Sequence, residues 1–179
     1  MDGDAKVLSQ EPVKKPPSIK KEIIRLVSKL LIVVFVFVLL FTFVFGVLRT
    51  SNNTMSPAIK NGDIVLYYRL DKNYVANDVV IIEYEGETQL RRVVAVAGDS
   101  VDITEEGLII NGSPQYEPSI TTETLPYVDG IEFPITLKED EVFLIADDRE
   151  DSQDSRVYGP VSVGSIQGKA ISIFRRRGI

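Results

Sequence analysis

From residue 30 to residue 48 the chain runs for nineteen residues without a charge, interrupted only by Thr42 and Gly46. Wound as an α-helix at about 1.5 Å per residue, this stretch spans about 28 Å, close to the ~30 Å hydrocarbon core of a bilayer. A surface helix of a soluble domain would carry a polar stripe, and this run has none. A cleaved secretory signal would have an apolar region of roughly 7–15 residues followed by a small-x-small site. Here the run is longer and Arg49 follows it. The stretch reads as an uncleaved signal anchor.

Residues 1–29 carry seven basic and four acidic side chains, and Pro12, Pro16 and Pro17 argue that the front half is unstructured. By the positive-inside rule this basic tail is cytoplasmic, which places residues 49–179 outside the cell membrane. Of 20 basic and 26 acidic residues in the chain, 13 and 22 then belong to the outer part, a net charge of −9. So acidic a surface argues against nucleic acid as a partner. The bilayer itself is the partner of the anchor.

The outer part reads as mainly β. Residues 63–68, 79–84, 90–96, 101–103, 108–110, 142–145 and 170–174 are short runs rich in β-branched and aromatic side chains. Asn61-Gly62, Glu106-Gly107, Asn111-Gly112 and Asp129-Gly130 supply turns between them. No stretch carries a clear helical period. Residues 112–137, with four prolines, read as a long loop or extended excursion. The expected organisation is a cytoplasmic tail (1–29), one transmembrane helix (30–48) and a single β domain (49–179).

With neither cysteine nor histidine, the chain has no disulfide, no thiol nucleophile, no Ser-His-Asp triad and no imidazole metal site. Asp147, Asp148, Glu150, Asp151 and Asp154 crowd one stretch, but their spacing fits no calcium loop. No metal and no cofactor is expected.

Just past the apolar run lies Ser51-Asn52-Asn53-Thr54-Met55-Ser56-Pro57-Ala58-Ile59. Proline pushes the residue before it out of helix space, so this segment reads as an extended, peptide-presenting edge and not as core. It resembles the S-M-x-P nucleophile motif of type I signal peptidases, with Thr54 where that family has serine. Further on come Asn61-Gly62-Asp63-Ile64-Val65, then the stretch from Arg91-Arg92-Val93-Val94 to Gly98-Asp99-Ser100-Val101, then Ile110-Asn111-Gly112. The stretch Ala146-Asp147-Asp148-Arg149-Glu150-Asp151-Ser152-Gln153-Asp154-Ser155-Arg156-Val157-Tyr158-Gly159 is similar to the family's G-D-N-R-x-x-S-x-D-S-R-x-x-G. The resemblance covers nearly all of the outer domain, and the single anchor looks like the Gram-positive branch.

That resemblance implies a signal-peptidase-like β domain on one N-terminal transmembrane helix. It also implies a Ser/Lys dyad that removes signal peptides while holding them as an added strand. The chain departs from the pattern at the positions that matter most. Thr54 stands for the nucleophilic serine, Arg91 for the general-base lysine, Asn52 for a glycine near the oxyanion hole, and Ala146 and Asp148 for the glycine and asparagine of the last block. Threonine carries the same hydroxyl and can act as a nucleophile. Lowering a lysine from about 10.4 to about 8 costs roughly 3 kcal/mol, whereas an arginine starting at ~12.5 or above needs about 6 kcal/mol or more. Arg91 therefore cannot accept the Thr54 proton.

Strand alternation over residues 90–97 puts Arg91, Val93, Ala95 and Ala97 on one face and Leu90, Arg92, Val94 and Val96 on the other. A buried Arg91 would need an acceptor, and Asp148 is the candidate ion-pair partner. The resemblance further implies that Asp147 and Asp154 hold Arg149 and Arg156 near the site, and that Ser152 touches the residue at the base position. Asn52, Asn53, Met55, Pro57, Val93 and Ala95 are the expected peptide-binding residues.

Two functions remain open. One is a non-catalytic homologue that binds an exported or pilin-like segment as an extended strand and serves as an assembly or chaperone-like factor, as dyad-deficient relatives of pilus gene clusters do. The other is an active type I signal peptidase using Thr54, Ser51 or Ser56 as nucleophile.

Overall fold

The computed structural model describes residues 18–150 and 152–175. The expected unstructured front half of the tail lies outside them. The chain divides after Val38 into two compact units.

The first unit is the helix α1, Ile19–Leu39, with no buried residue. Leucine, isoleucine, valine and phenylalanine cover it on every side from Leu30 onward, which suits a hydrocarbon environment and not water. Together with a π-turn at Leu40–Val44 it forms a 26-residue span long and apolar enough to cross a membrane. Lys20, Lys21, Arg25 and Lys29 lie on its early turns, where long side chains can reach the lipid–water interface.

The helix does not continue to residue 48 as expected. Phe45 turns to extended backbone (φ −115°, ψ 160°), and Phe45–Arg49 forms strand β1. This strand pairs antiparallel with β2, Ile64–Tyr68, residue for residue from Phe45↔Tyr68 to Arg49↔Ile64. The reason is local to Gly46. Its backbone lies directly against the Tyr67 ring, so any Cβ there would collide with that ring. Ladder hydrogen bonds and this contact outweigh the helical preference of an apolar segment that is otherwise uniform.

The second unit is mainly β. After β2 come β3 (Val79–Tyr84), β4 (Glu87–Ala95), β5 (Ser100–Thr104), β6 (Gly107–Ile110), β7 (Ser113–Pro114), β8 (Ile135–Thr136) and β9 (Glu141–Ile145). The one-turn helix α2 (Ser155–Tyr158), β10 (Val161–Ser162) and β11 (Gly168–Phe174) complete it. A seven-stranded sheet runs β1-β2-β11-β3-β4-β9-β10 and a four-stranded sheet β7-β6-β5-β8. The expected strands are all present; β7 and β8 lie at the two ends of the expected excursion.

Both faces of the large sheet are covered. On one face Val80, Ile82, Val93, Val142 and Leu144 pack with Tyr74 and Ile166. On the other, Phe143, Ile145 and Ala95 meet Val101, Ile103 and Leu108 of the small sheet, while Ile81 and Leu90 meet Val65, Tyr67, Met55 and Ile59. Strand β9 alternates between the two, which is why it reads as a continuous apolar run.

Strict alternation fails along β4. Val93 opposes Leu144 and Ala95 opposes Phe143, so Val94 is an extra residue in the ladder. A bulge of this kind reverses the facing of everything beyond it. Ala95 therefore lies in the opposite core from Val93, contrary to the expected shared face.

Candidate functional site

Three segments meet at the middle of β4: the loop carrying residues 50–63, β4 itself, and the stretch from Ala146 to Tyr158. The first is turned, not extended as expected. Ser56 N donates to Asn53 O (2.8 Å) and Ile59 N to Met55 O (2.8 Å). Met55 and Ile59, four residues apart, both enter the core, leaving Asn52, Asn53 and Pro57 exposed and Thr54 half-buried. The coil is anchored to the third segment, where Asp148 N donates to Thr54 O (2.9 Å).

Thr54 and Arg91 are in contact. Arg91 Nη1 donates to Thr54 Oγ1 at 3.3 Å, and the Thr54 hydroxyl donates to Asn52 Oδ1 at 2.9 Å. Arg91 is 2 % exposed. Its Nε and Nη2 donate to Gln153 O (3.2 and 2.7 Å), and its Nη1 donates also to Leu90 O (2.5 Å). Every acceptor is a neutral oxygen. Among the described residues no carboxylate is within ion-pair distance of Arg91, so the expected pair with Asp148 does not form. Burial holds the guanidinium below its ordinary value, yet a guanidinium so lowered still remains a cation.

The other arginines are each matched to an acid. Arg92 forms a bidentate pair with Asp147, Nε to Oδ1 2.7 Å and Nη2 to Oδ2 2.6 Å, and this partner raises its pKa. Asp154 holds Arg156 as expected, Nε to Oδ1 2.9 Å and Nη2 to Oδ2 2.8 Å, and also caps α2 by accepting from Arg156 N. Asp147 does not hold Arg149. That guanidinium, fully buried, pairs with Glu117 at 2.7 Å and bonds Thr124 Oγ1. Ser152 does not reach the side chain at position 91; its hydroxyl donates to Asp148 O (2.7 Å). The adjacent carbonyl of Gln153 makes that contact instead.

Sequence reasoning missed the share of residues 112–137 in this site. The Tyr127 hydroxyl accepts from Ser152 N (3.2 Å) and lies 3.0 Å from Ser152 O, while Arg156 stacks over its ring at 4.6 Å. Tyr127, Glu117 and Thr124 thus pin the loop that presents Gln153 O to Arg91. A buried arginine demands an acid, and Glu117 in an otherwise unassigned excursion was the available signal.

Of the expected peptide-binding residues, Asn52, Asn53 and Pro57 are exposed. Met55, Val93 and Ala95 are 2 %, 0 % and 0 % exposed and serve the core, so their side chains offer a peptide no surface. Strand β4 lies between β3 and β9, which closes residues 92–95 to an added strand. Its first half differs: β3 pairs along residues 87–92, but β9 begins only at Arg92. Val93 N and O bond Asp78 O and Asn77 N on the β3 side. By the period of two, the backbone groups of Thr88 and Leu90 point to the other edge. Among the described residues that edge carries no ladder.

The thiol- and imidazole-free chemistry of this site is one of hydroxyl, guanidinium and backbone. Among the described residues no group of three or more acidic side chains is placed to hold a metal ion.

Known proteins match this chain over most of its length. The family described as signal peptidase, peptidase S26, matches residues 23–175. Signal peptidase I S of Bacillus subtilis is 24 % identical over 148 residues, which is 76 % of this chain and 80 % of the relative. Mitochondrial inner membrane protease subunit 1 of Mus musculus is 28 % identical over 135 residues, 72 % of this chain and 69 % of the relative. A crystal structure of a signal peptidase I from Enterococcus faecalis superimposes with a TM-score of 0.46 at 21 % identity, covering 54 % of this chain and 96 % of that one. The chain belongs to the peptidase S26 family of signal peptidases and is a signal peptidase I-like membrane protein.

Proposed function

We propose that this protein is a non-catalytic member of its family, anchored by one helix with its β domain on the extracytoplasmic face, and that it binds an extended segment of an exported client, a pilin-like protein among the candidates. The observation that carries this is the Arg91–Thr54 contact. A hydroxyl nucleophile needs a neighbour that accepts its proton as the new bond forms. Thr54 Oγ1 instead accepts a hydrogen bond from Arg91 Nη1 and donates one to the amide oxygen of Asn52. Neither partner is a base. Neutralising an ordinary guanidinium near pH 8 costs about 6 kcal/mol; burial of Arg91 reduces that cost but leaves it a cation.

The edge of β4 at Thr88 and Leu90 supports peptide binding. An added strand draws affinity from main-chain hydrogen bonds and needs no catalysis. The alternative, a peptidase using Thr54, Ser51 or Ser56, gains no support from the hydrogen bonds of Thr54. Cells lacking the gene are expected to lose assembly of the client while still processing its signal peptide. Accumulation of uncut preprotein in those cells would return the enzyme reading to the front.

A further inference from the structure

Four arginines surround the middle of β4 and the loop behind it, and three acids answer them. Arg92 takes Asp147, Arg149 takes Glu117 and Arg156 takes Asp154. Arg91 is left over. A buried cation satisfied only by neutral oxygens keeps its hydrogen bonds but lacks the charge compensation that normally accompanies burial. The nearby Asp154 carboxylate does act on Arg91, but Arg156, held by both oxygens of that carboxylate, opposes it. Arg91 is therefore a buried cation without an ion-pair partner among the described residues, in an acidic domain.

We infer that Arg91 and Thr54 form a receptor for the free C-terminal carboxylate of an extended peptide, laid as a strand along the open edge of β4. The inference rests on the peptide-binding reading above and names its ligand. Three features converge on one spot. Arg91 Nη1 supplies a charged donor, Thr54 Oγ1 a second donor once its hydroxyl turns from Asn52, and Leu90 O marks the height of the ladder, 2.5 Å from that same Nη1.

The position of Leu90 O decides between a main-chain and a side-chain carboxylate. Side chains on a paired strand stand perpendicular to the sheet, whereas backbone groups lie within its plane. A donor hydrogen-bonded to a ladder carbonyl lies near that plane, where a chain terminus and not an aspartate or glutamate side chain would arrive. Asn52 and Gln153, which bond Thr54 and Arg91, are both exposed. Charge-assisted hydrogen bonds from a guanidinium to a carboxylate are about twice as strong as neutral ones, so the carboxylate displaces weaker partners and neutralises the buried charge. A peptide that ends at this position is held, where an uncut chain passing through it would present only a neutral amide.

The test is binding of fluorescein-labelled, valine- and alanine-rich peptides to the full chain in detergent micelles, read by fluorescence anisotropy. Three forms are compared: a free acid, its C-terminal amide, and the amide with an internal glutamate. The free acid is expected to bind on the order of tenfold tighter than either amide. Arg91→Met should abolish that difference and Thr54→Val should reduce it several-fold, whereas Arg91→Lys should keep most of it. Because the comparison within the wild-type chain needs no variant, misfolding of Arg91→Met leaves the test intact. Equal binding of acid and amide would overturn the carboxylate receptor while leaving the peptide-binding reading standing. Tight binding of the glutamate amide would place the carboxylate on a side chain and overturn it equally. Binding of none of the three would remove both.

Discussion

Asp154 and Arg156 grip each other through two charged hydrogen bonds of 2.9 and 2.8 Å, with both side chains almost wholly out of water. Asp154 also accepts from Ala146 N at 3.1 Å, and Arg156 reaches on to Arg149 O at 3.0 Å. The pair thus fixes both ends of the loop that carries Gln153. Removing one partner strands the other charge in the interior. Asp154→Ala is expected to cost about 3–5 kcal/mol in denaturant unfolding. Adding Arg156→Met should recover part of that loss, and a double variant no more stable than Asp154→Ala would contradict the pairwise account.

The Tyr67 ring is bounded by glycines on two other strands, Gly46 of β1 and Gly168 of β11. At Gly46 a new methyl would meet only the outer part of the ring, which can shift. At Gly168 it would meet the Tyr68 carbonyl, which is backbone, at 2.5 Å. Both alanine variants should lose stability by overpacking, about 1–3 kcal/mol, with Gly168→Ala the worse. Thermal unfolding of the two variants side by side checks the order.

The Tyr74 hydroxyl is buried without a hydrogen-bond partner among the described residues. Burial, reinforced by Asp71 and Asp78, pushes its pKa up to about 12. The folded chain therefore holds this proton more tightly than the unfolded one, whose value is about 10. The contribution is fully present below about pH 10 and is lost as pH rises from there toward 12. Tyr74→Phe should match or exceed the parent at pH 7, within about 1 kcal/mol, and should lose less stability between pH 10 and 11. Lys169, raised by its hydrogen bond to Asp78, is common to both proteins, so the difference reports Tyr74. Parallel alkaline curves would assign the loss elsewhere.

Much of the β domain was legible because β-branched runs and Asn-Gly or Glu-Gly turns are local signals, and β2 to β6, β9 and β11 lie where those signals fall. The end of the helix was not. Residues 44–48 differ little in composition from those before them, and only the distant Tyr67 explains why Gly46 belongs to a strand. The facing of Ala95 was hidden for a related reason, since the bulge at Val94 is set by pairing with β9 and not by β4 itself. At the site, the meeting of Thr54 with Arg91 and of Asp154 with Arg156 followed from motif order. The partners of Arg91 and Arg149 did not, because they are a backbone carbonyl and an acid from a stretch without a motif.

The proposed topology has its own check. Protease added to intact protoplasts should digest the domain from residue 49 onward and spare an epitope placed on the N-terminal tail. A protected C-terminal domain would reverse the orientation argued from the basic flank.

The central claim is that the Arg91–Thr54 contact excludes hydroxyl activation. The most direct measurement incubates the purified full chain, in detergent, with a preprotein whose cleavage site has small residues at positions −1 and −3, and follows product by mass spectrometry. The wild-type chain is expected to release no product above a protein-free control, and Thr54→Ala should be indistinguishable from it. Cleavage by the wild type that disappears in Thr54→Ala would contradict the account.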